Sequence, residues 1–79
     1  MARYAVNTSI KAEKVMDKAV EFFGTGLNMD ITEQRDCCVR FTGSGGFVHV
    51  YVIANHGVKE ITIECQDWDE QVEKFLVQL

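Results

Sequence analysis

Residues 47–53, which read FVHVYVI, decide the fold. Three valines alternate with aromatic, histidine and isoleucine side chains, and β-branched and aromatic residues favour extended backbone. The apolar residues do not recur at spacings of three and four, so the segment does not indicate a helix. Because successive side chains of a strand point to opposite faces, we predict one face of valines. The opposite face then carries Phe47, His49, Tyr51 and Ile53.

Turns bound this strand on both sides, and further strands are predicted beyond them. Residues 43–46, GSGG, predict a hairpin, because glycine readily adopts the positive φ angles of tight turns. Residues 55–57, NHG, predict the next turn. Residues 37–42 and 58–65 alternate apolar and polar side chains, as half-buried strands do. Another strand is predicted in residues 27–33, where it precedes a polar corner with the sequence QRD.

A first helix is predicted before these strands. Apolar side chains in residues 12–23 recur at spacings of three and four, which gives one apolar stripe. We expect Thr8 or Ser9 to cap the start of the helix, because their side-chain oxygens accept bonds from free backbone amides. Gly24 and Gly26 are expected to end it, since glycine is common after helix ends.

A second helix is predicted at the C-terminal end. Asp67 is expected to cap it, with Glu70 three residues later in the arrangement of a capping box. We expect Trp68 to lie in the core and to anchor the helix to the sheet. An exposed Trp68 would instead mark a binding hot spot. The apolar stripe of this helix comprises Trp68, Val72, Phe75, Leu76 and Leu79.

With a short strand predicted in residues 3–9, the order of elements becomes β-α-β-β-β-β-α. We therefore expect an α+β fold, a two-layer sandwich in which two helices cover one face of an antiparallel sheet. The chain has 79 residues, so one domain over residues 1–79 is expected. The pairing partner of the first strand is left open. The predicted core comprises Val6, Val15, Met16, Ala19, Phe23, Val39, Val48, Val50, Val52, Ile61, Ile63, Val72, Phe75 and Leu76.

This order of elements resembles one repeat of the TATA-box-binding-protein fold, and it is similar to a shortened helix-grip domain of the START and Bet v1 type. The resemblance covers nearly the whole chain in topology, without a family motif. A helix-grip fold implies a cavity for an apolar ligand between the helix and the sheet. A TATA-box-binding fold implies a basic, apolar sheet face that contacts DNA. Here that face is expected to carry Glu60 and Glu64, which argues against DNA binding.

The charge and hydropathy of the chain limit its partners. The net charge is −4 at pH 7, so the global positive field typical of nucleic-acid binders is missing and nucleic acid is not an expected partner. Lys11, Lys14 and Lys18 form a basic strip on the first helix, and a solvated face is its default interpretation. No apolar run approaches the about 18 residues of a membrane span. The N-terminal residues lack the apolar region of a signal peptide.

Three cysteines and two histidines are candidates for chemistry. An odd number of cysteines, two of them adjacent, does not predict a disulfide framework, and we expect a reducing, cytoplasmic environment without a bound cofactor. Cys37 and Cys38 are expected to point to opposite faces of a strand, with Cys37 and Cys65 in the core. Zinc-type ligand spacings are absent, so a metal site is not predicted. A catalytic group of Cys38, His49 and Glu64 stays open as an alternative, although the enzyme class is not favoured.

The uncovered sheet face is the main candidate for function. An apolar, aromatic patch rimmed by charge on a small protein is typical of a partner-binding surface. The alternative is an ordinary solvated face in which cross-strand pairs only stabilise the sheet. We expect a non-enzymatic interaction module that self-associates as a dimer or binds a protein partner through this face, and a small apolar-ligand-binding protein of the helix-grip type is the second hypothesis. The predicted partner-binding residues are Phe47, His49, Tyr51, Ile53, Arg40, Glu60, Thr62 and Glu64.

Overall fold

The computed structural model describes residues 2–55 and 57–79. Within these residues the strands are β1 (Ala2–Thr8), β2 (Asp30–Gln34), β3 (Cys38–Gly43), β4 (Gly46–Asn55) and β5 (Val58–Gln66). The helices are α1 (Ala12–Ala19), which continues as a π-helix (Val20–Gly26), and α2 (Asp69–Val77). The order of strands and helices confirms the predicted α+β class and the predicted order β-α-β-β-β-β-α.

The described strands form one antiparallel sheet with the order β1-β5-β4-β3-β2. The consecutive strands β2 to β5 form the predicted meander. The first strand, whose partner the sequence left open, pairs with β5 and places Tyr4 opposite Ile63. This pairing makes β4 the central strand of the sheet.

The predicted hairpin between β3 and β4 is confirmed. Gly43 pairs with Gly46, and the two residues between them, Ser44 and Gly45, have φ angles of 49° and 83°. Positive φ at both central positions is the signature of a type I′ turn, whose twist matches that of the flanking strands. In the turn predicted between β4 and β5, Gly57 has a φ of 79°, and His56 lies outside the described residues.

The start of α1 differs from the prediction. Lys11 occupies the N-cap position, so the expected cap by Thr8 or Ser9 is wrong. Thr8 is still part of β1, where it pairs with Lys59, and its hydroxyl oxygen accepts a bond of 3.1 Å from the amide of Ile10. The residues between Thr8 and Lys11 carry the chain from the sheet to the helix. The helix therefore begins later than the capping pattern suggests.

The end of the first helix also differs. The helix passes through Gly24 and ends only at Gly26, so the predicted stop is correct for the second glycine alone. The last turns widen to π geometry, in which the amide of Leu27 donates to the carbonyl of Phe22 over 3.0 Å. A side chain at Gly24 would lie 3.6 Å from Ile31 Cδ1, so this glycine is the point where the helix approaches β2.

The start of α2 shows a third local difference. Trp68, rather than Asp67, occupies the N-cap position, so the predicted capping role of Asp67 is wrong. Asp67 has a φ of 66° and forms the turn that leads out of β5. Trp68 is half-buried, and its indole N–H donates to the carbonyl oxygen of Gly43 over 3.2 Å. Trp68 therefore anchors the start of α2 to the β3–β4 hairpin.

Both helices cover the same face of the sheet, where the core lies. Every predicted core residue is either buried or packed against the buried cluster. Prediction missed Met29 and Phe41, which are also buried. The ring of Phe23 lies 5.3 Å from that of Phe41 and 5.2 Å from that of Phe75, so aromatic packing joins the first helix, the sheet and α2.

We predict that Gly46→Ala strongly destabilises the protein, whereas Gly43→Ala does not. A Cβ atom at Gly46 would overlap the carbonyl oxygen of Gln66 and would lie 2.9 Å from the indole of Trp68. At Gly43 the nearest atom would be 3.5 Å away, in ordinary contact. Gly46→Ala should lower the free energy of unfolding by about 2 kcal/mol or more, as overpacking does. Urea unfolding followed by circular dichroism measures both variants, and equal stabilities would contradict the packing described.

Candidate functional site on the outer face of the sheet

The sheet face opposite the helices, here called the outer face, is the candidate site. Val48 and Val50 are fully buried beneath the helices, and Val52 packs against the same core. Within residues 2–55 and 57–79, no helix or strand covers the other side of the sheet. The predicted division of β4 into an inner valine face and an outer face is therefore correct. The aromatic strip on the outer face consists of Phe47, His49, Tyr51 and Ile53.

Strand pairing places charged side chains next to this strip. His49 lies opposite Glu64 of β5 on one side and opposite Arg40 of β3 on the other. Glu64 in turn pairs with Arg3 of β1, and Arg40 pairs with Glu33 of β2. These residues form one line across the sheet. From β1 to β2, this charged row reads Arg3, Glu64, His49, Arg40 and Glu33.

The remaining predicted residues lie on the same face. Thr62 is paired with Tyr51, and Glu60 is paired with Ile53. The eight predicted partner-binding residues are thus brought together on one surface. The charged row also contains Arg3 and Glu33, which the sequence interpretation did not include. The place of Arg3 depends on the pairing of β1 with β5, and that of Glu33 depends on the register shift in β2, and the alternation within each strand reveals neither.

Contacts between the side chains hold this surface in a defined arrangement. The Tyr51 hydroxyl donates to Glu64 Oε1 over 2.6 Å. The guanidinium carbon of Arg40 lies 4.5 Å from the ring centroid of Phe47, within cation–π distance. The rings of His49 and Tyr51 lie 5.2 Å apart. Since rotamers fixed before binding lower the entropic cost of association, this arrangement suits a binding surface.

Two polar groups are buried on the outer face although no element covers it in the described part of the chain. Thr62 is fully buried, and its hydroxyl donates to Glu60 Oε1 over 3.3 Å. The Nε2 atom of His49 is buried and has no hydrogen-bond partner among the described residues. A buried polar atom without a partner costs about 1–3 kcal/mol. The centre of the outer face therefore contains a hydrogen-bonding group that the described residues leave unsatisfied.

The cysteines are arranged differently from the prediction. The sulphur atoms of Cys37 and Cys38 are bonded to each other, so the adjacent pair forms a disulfide. Cys37 is exposed in the turn before β3 rather than buried in the core. The prediction that both side chains point to opposite faces of a strand is wrong, because only Cys38 belongs to the strand.

Strand pairing places Cys38, His49 and Glu64 of the proposed catalytic group on the outer face, with His49 directly opposite Glu64. The Cys38 sulphur is bonded to that of Cys37, so it is not a free thiol beside His49. Cys38 pairs with Tyr51, whereas His49 pairs with Arg40 on the same neighbouring strand. Glu64 accepts the hydroxyl of Tyr51. Among the described residues, no group of three or more histidine, cysteine, aspartate or glutamate side chains is placed to hold a metal ion.

Cys65 differs from the other two cysteines. It is fully buried, and its thiol donates to Asp69 Oδ1 over 3.0 Å. Burial, followed by the bond to Asp69, raises the pKa of the Cys65 thiol to about 12. Since the thiolate is the reactive form, Cys65 is a structural residue that links β5 to the first turn of α2.

Surface clefts elsewhere are less suited to binding. The first has a volume of about 440 Å³ and lies along the π-helix. It is an open groove lined by both charged and apolar side chains: Lys18, Glu21, Phe22, Gly26, Leu27 and Gln78. The lysines of the predicted basic strip, Lys11, Lys14 and Lys18, are exposed. None of the helices in the described ranges combines the length and the apolar character needed to cross a bilayer.

We predict that the cysteines differ strongly in reactivity. After reduction, iodoacetamide at mildly alkaline pH should modify Cys37 first and Cys38 more slowly, because Cys37 is exposed and Cys38 is half-buried. Cys65 should react only when denaturant is added. Mass spectrometry of the digested protein measures each site. Modification of native Cys65 at the rate of the unfolded chain would contradict its assigned burial, and selective modification of Cys38 at mildly acidic pH would favour the catalytic alternative.

We predict that the Tyr51 hydroxyl titrates above its ordinary pKa of 10.0, because its hydrogen bond to Glu64 and then its burial raise that pKa. In a Tyr4→Phe background, tyrosinate absorbance reports Tyr51 alone, since the chain has two tyrosines. Glu64→Gln should lower the titration midpoint, whereas Glu73→Gln on α2 should not. The raised folded-state pKa stabilises the protein fully below about pH 10, and this contribution is lost as the pH rises through that pKa. An unchanged midpoint in Glu64→Gln would contradict the bond.

Comparison with known proteins gives a fold and no function. No family model matches the chain, and no curated protein matches it. Among solved structures, the chain is similar to the crystal structure of DR_A0006 from Deinococcus radiodurans, with a TM-score of 0.54 and 12% sequence identity. The match covers 98% of this chain and 92% of that chain. At this identity the likeness concerns the fold alone, and a fold does not establish a function.

Proposed function

We propose that this protein is a non-enzymatic interaction module that self-associates as a dimer through its outer face. The observation that carries the proposal is the aromatic strip, which lies on the central strand of a sheet whose other face is already covered by both helices. Aromatic and arginine side chains are enriched in protein interfaces. The outer face combines both features around β4, with Arg40 stacked on Phe47.

The outer face is large enough for a dimer interface. Five strands spaced about 4.8 Å apart, each with about seven residues that rise about 3.4 Å, span roughly 24 by 24 Å. The accessible surface of this face exceeds its projected area of about 580 Å², so it is comparable with the about 800 Å² that each partner buries in a standard complex. Ile53 at one end of the strip is 43% exposed, so apolar area remains for a partner to cover. Because loss of motional freedom and desolvation of charged side chains oppose association, we expect a dimer of micromolar rather than nanomolar affinity.

The second function expected from the sequence, binding of a small apolar ligand in the helix-grip manner, has less support. A helix-grip site needs space between the helix and the sheet, and pockets for drug-sized ligands occupy about 300 Å³ or more. Here Phe23 fills that space and packs against Phe41 and Phe75. The groove of about 440 Å³ lies along the π-helix instead, with Lys18 and Glu21 in its wall.

We predict that Tyr51→Glu disrupts the dimer. The substitution places a carboxylate in the middle of the aromatic strip, next to Glu64, and a second copy would have to bury that charge without a counter-ion. Sedimentation equilibrium should show concentration-dependent dimerisation of the wild type in the micromolar range and a monomer for the variant. Ile53→Glu should act in the same direction and removes no hydrogen bond found in the structure.

Val77→Glu is the matched control. Val77 is 85% exposed on α2, so this substitution adds the same charge to the helical layer and should leave the dimer unchanged. Circular dichroism and thermal unfolding of each variant show whether the monomer is folded. A wild type that stays monomeric at high micromolar concentration would overturn the proposal, as would an outer-face variant that is folded and still dimeric.

A further inference from the structure

The charged row has a sign pattern that specifies how two copies fit together. His49 stands at its centre, on β4. Towards β1 the row continues with Glu64 and then Arg3, which is negative and then positive. Towards β2 it continues with Arg40 and then Glu33, which is positive and then negative. The two halves of the row therefore carry opposite charges at equal distances from the central strand.

We infer that two copies associate face to face about a two-fold axis parallel to β4, so that each arginine of the charged row faces a carboxylate of the second copy. This inference rests on the proposed self-association and adds its geometry. A rotation about such an axis reverses the order of the strands across the sheet, whereas each residue keeps its height along the strand direction. It therefore lays β5 over β3 of the second copy, and β1 over β2.

In this arrangement every charge of the row meets its opposite. Glu64 faces Arg40 of the second copy, and Arg3 faces Glu33 of the second copy. By symmetry each contact occurs twice. Both carboxylates can accept an arginine of the second copy. Tyr51 donates to Oε1 of Glu64, so Oε2 is left to accept a second bond. Glu33 forms an ion pair with Arg35 at 3.4 Å, but this pair is largely exposed and therefore weak.

A two-fold axis between the faces that runs perpendicular to the strands and passes through the charged row gives the opposite result. Such an axis keeps each strand over its own counterpart. Arg3 then faces Arg3, Glu64 faces Glu64, and the same holds for every member. Like charges in close contact across an interface are strongly unfavourable. The row thus discriminates between these two orientations and favours the axis parallel to β4.

The aromatic strip agrees with the same axis. Residues on β4 lie next to an axis that runs along β4, so each meets its own counterpart in the second copy. Phe47 and Tyr51 then form aromatic contacts at the centre of the interface, where such residues contribute most.

Charge reversal at positions 40 and 64 tests this geometry. Arg40→Glu alone sets a carboxylate against Glu64 of the second copy, and Glu64→Arg alone sets two cations against each other. Each variant should dimerise at least about tenfold more weakly than the wild type, which corresponds to about 1.4 kcal/mol. In a heterodimer of the two variants, the glutamate introduced at position 40 of one chain faces the arginine introduced at position 64 of the other. The symmetry-related contact keeps the native Glu64 and Arg40. The mixture should therefore form a heterodimer close to wild-type affinity.

The double variant Arg40→Glu/Glu64→Arg is a second measurement, and it should restore the homodimer in one chain. Lys14→Glu and Glu73→Arg are matched controls, because they make the same charge changes on exposed helical positions and should not affect dimerisation. Sedimentation equilibrium gives the affinities, and thermal unfolding confirms that each variant is folded.

The outcomes separate this geometry from the proposed function. In one outcome the wild type is dimeric, the Tyr51→Glu variant is monomeric, and the mixture of charge-reversal variants fails to associate. This outcome would overturn the proposed axis and leave the outer face as the interface. Single reversals that dimerise as well as the wild type would also overturn the axis. A wild type that stays monomeric at high micromolar concentration would overturn both.

Discussion

The packing of the β4 valines beneath the two helices is the constraint on which the rest of the structure depends. Val48 and Val50 are fully buried, and they lie between β3 and β5 at the middle of the sheet. A shift of one residue in the register of β4 would carry the whole valine face to the solvent side. Because β4 pairs with both β3 and β5, its register also fixes theirs. The hydrophobic effect on one face therefore determines the order of side chains on the other.

That dependence explains why the outer face has a defined pattern of side chains. Both helices use the inner face, where Phe23 and Phe75 pack against the sheet and each other. An antiparallel sheet of this size has a second face that must meet water or another molecule. There the Tyr51 hydroxyl is bonded to Glu64, and Arg40 stacks on the ring of Phe47. The outer face thus has defined side-chain positions within a single chain.

Alternation within single strands allowed most of the fold and the predicted outer-face residues to be predicted from the sequence. The predictions of helix caps, helix ends and one strand boundary were wrong where tertiary contacts determine these positions. The first helix passes Gly24, which lies close to Ile31, and ends only at Gly26. Trp68 rather than Asp67 precedes α2, and its indole is bonded to the carbonyl of Gly43. Cys37 was assigned to a strand that begins one residue later. Each error concerns an element boundary, where the pattern of burial changes.

The complete charged row lay beyond sequence reasoning for a similar reason, since it depends on the pairing of β1 with the distant strand β5 and on a register shift between the neighbouring strands β2 and β3. Arg3 enters the row only because β1 pairs with β5. Glu33 enters it through a bulge in β2: Ile31 pairs with Phe41, and the register then shifts so that Glu33, not Thr32, lies opposite Arg40. Bulges re-aim side chains in this way and are common at sheet edges. Without the shift the row would end on a neutral threonine, and one of its two oppositely charged pairs would be lost.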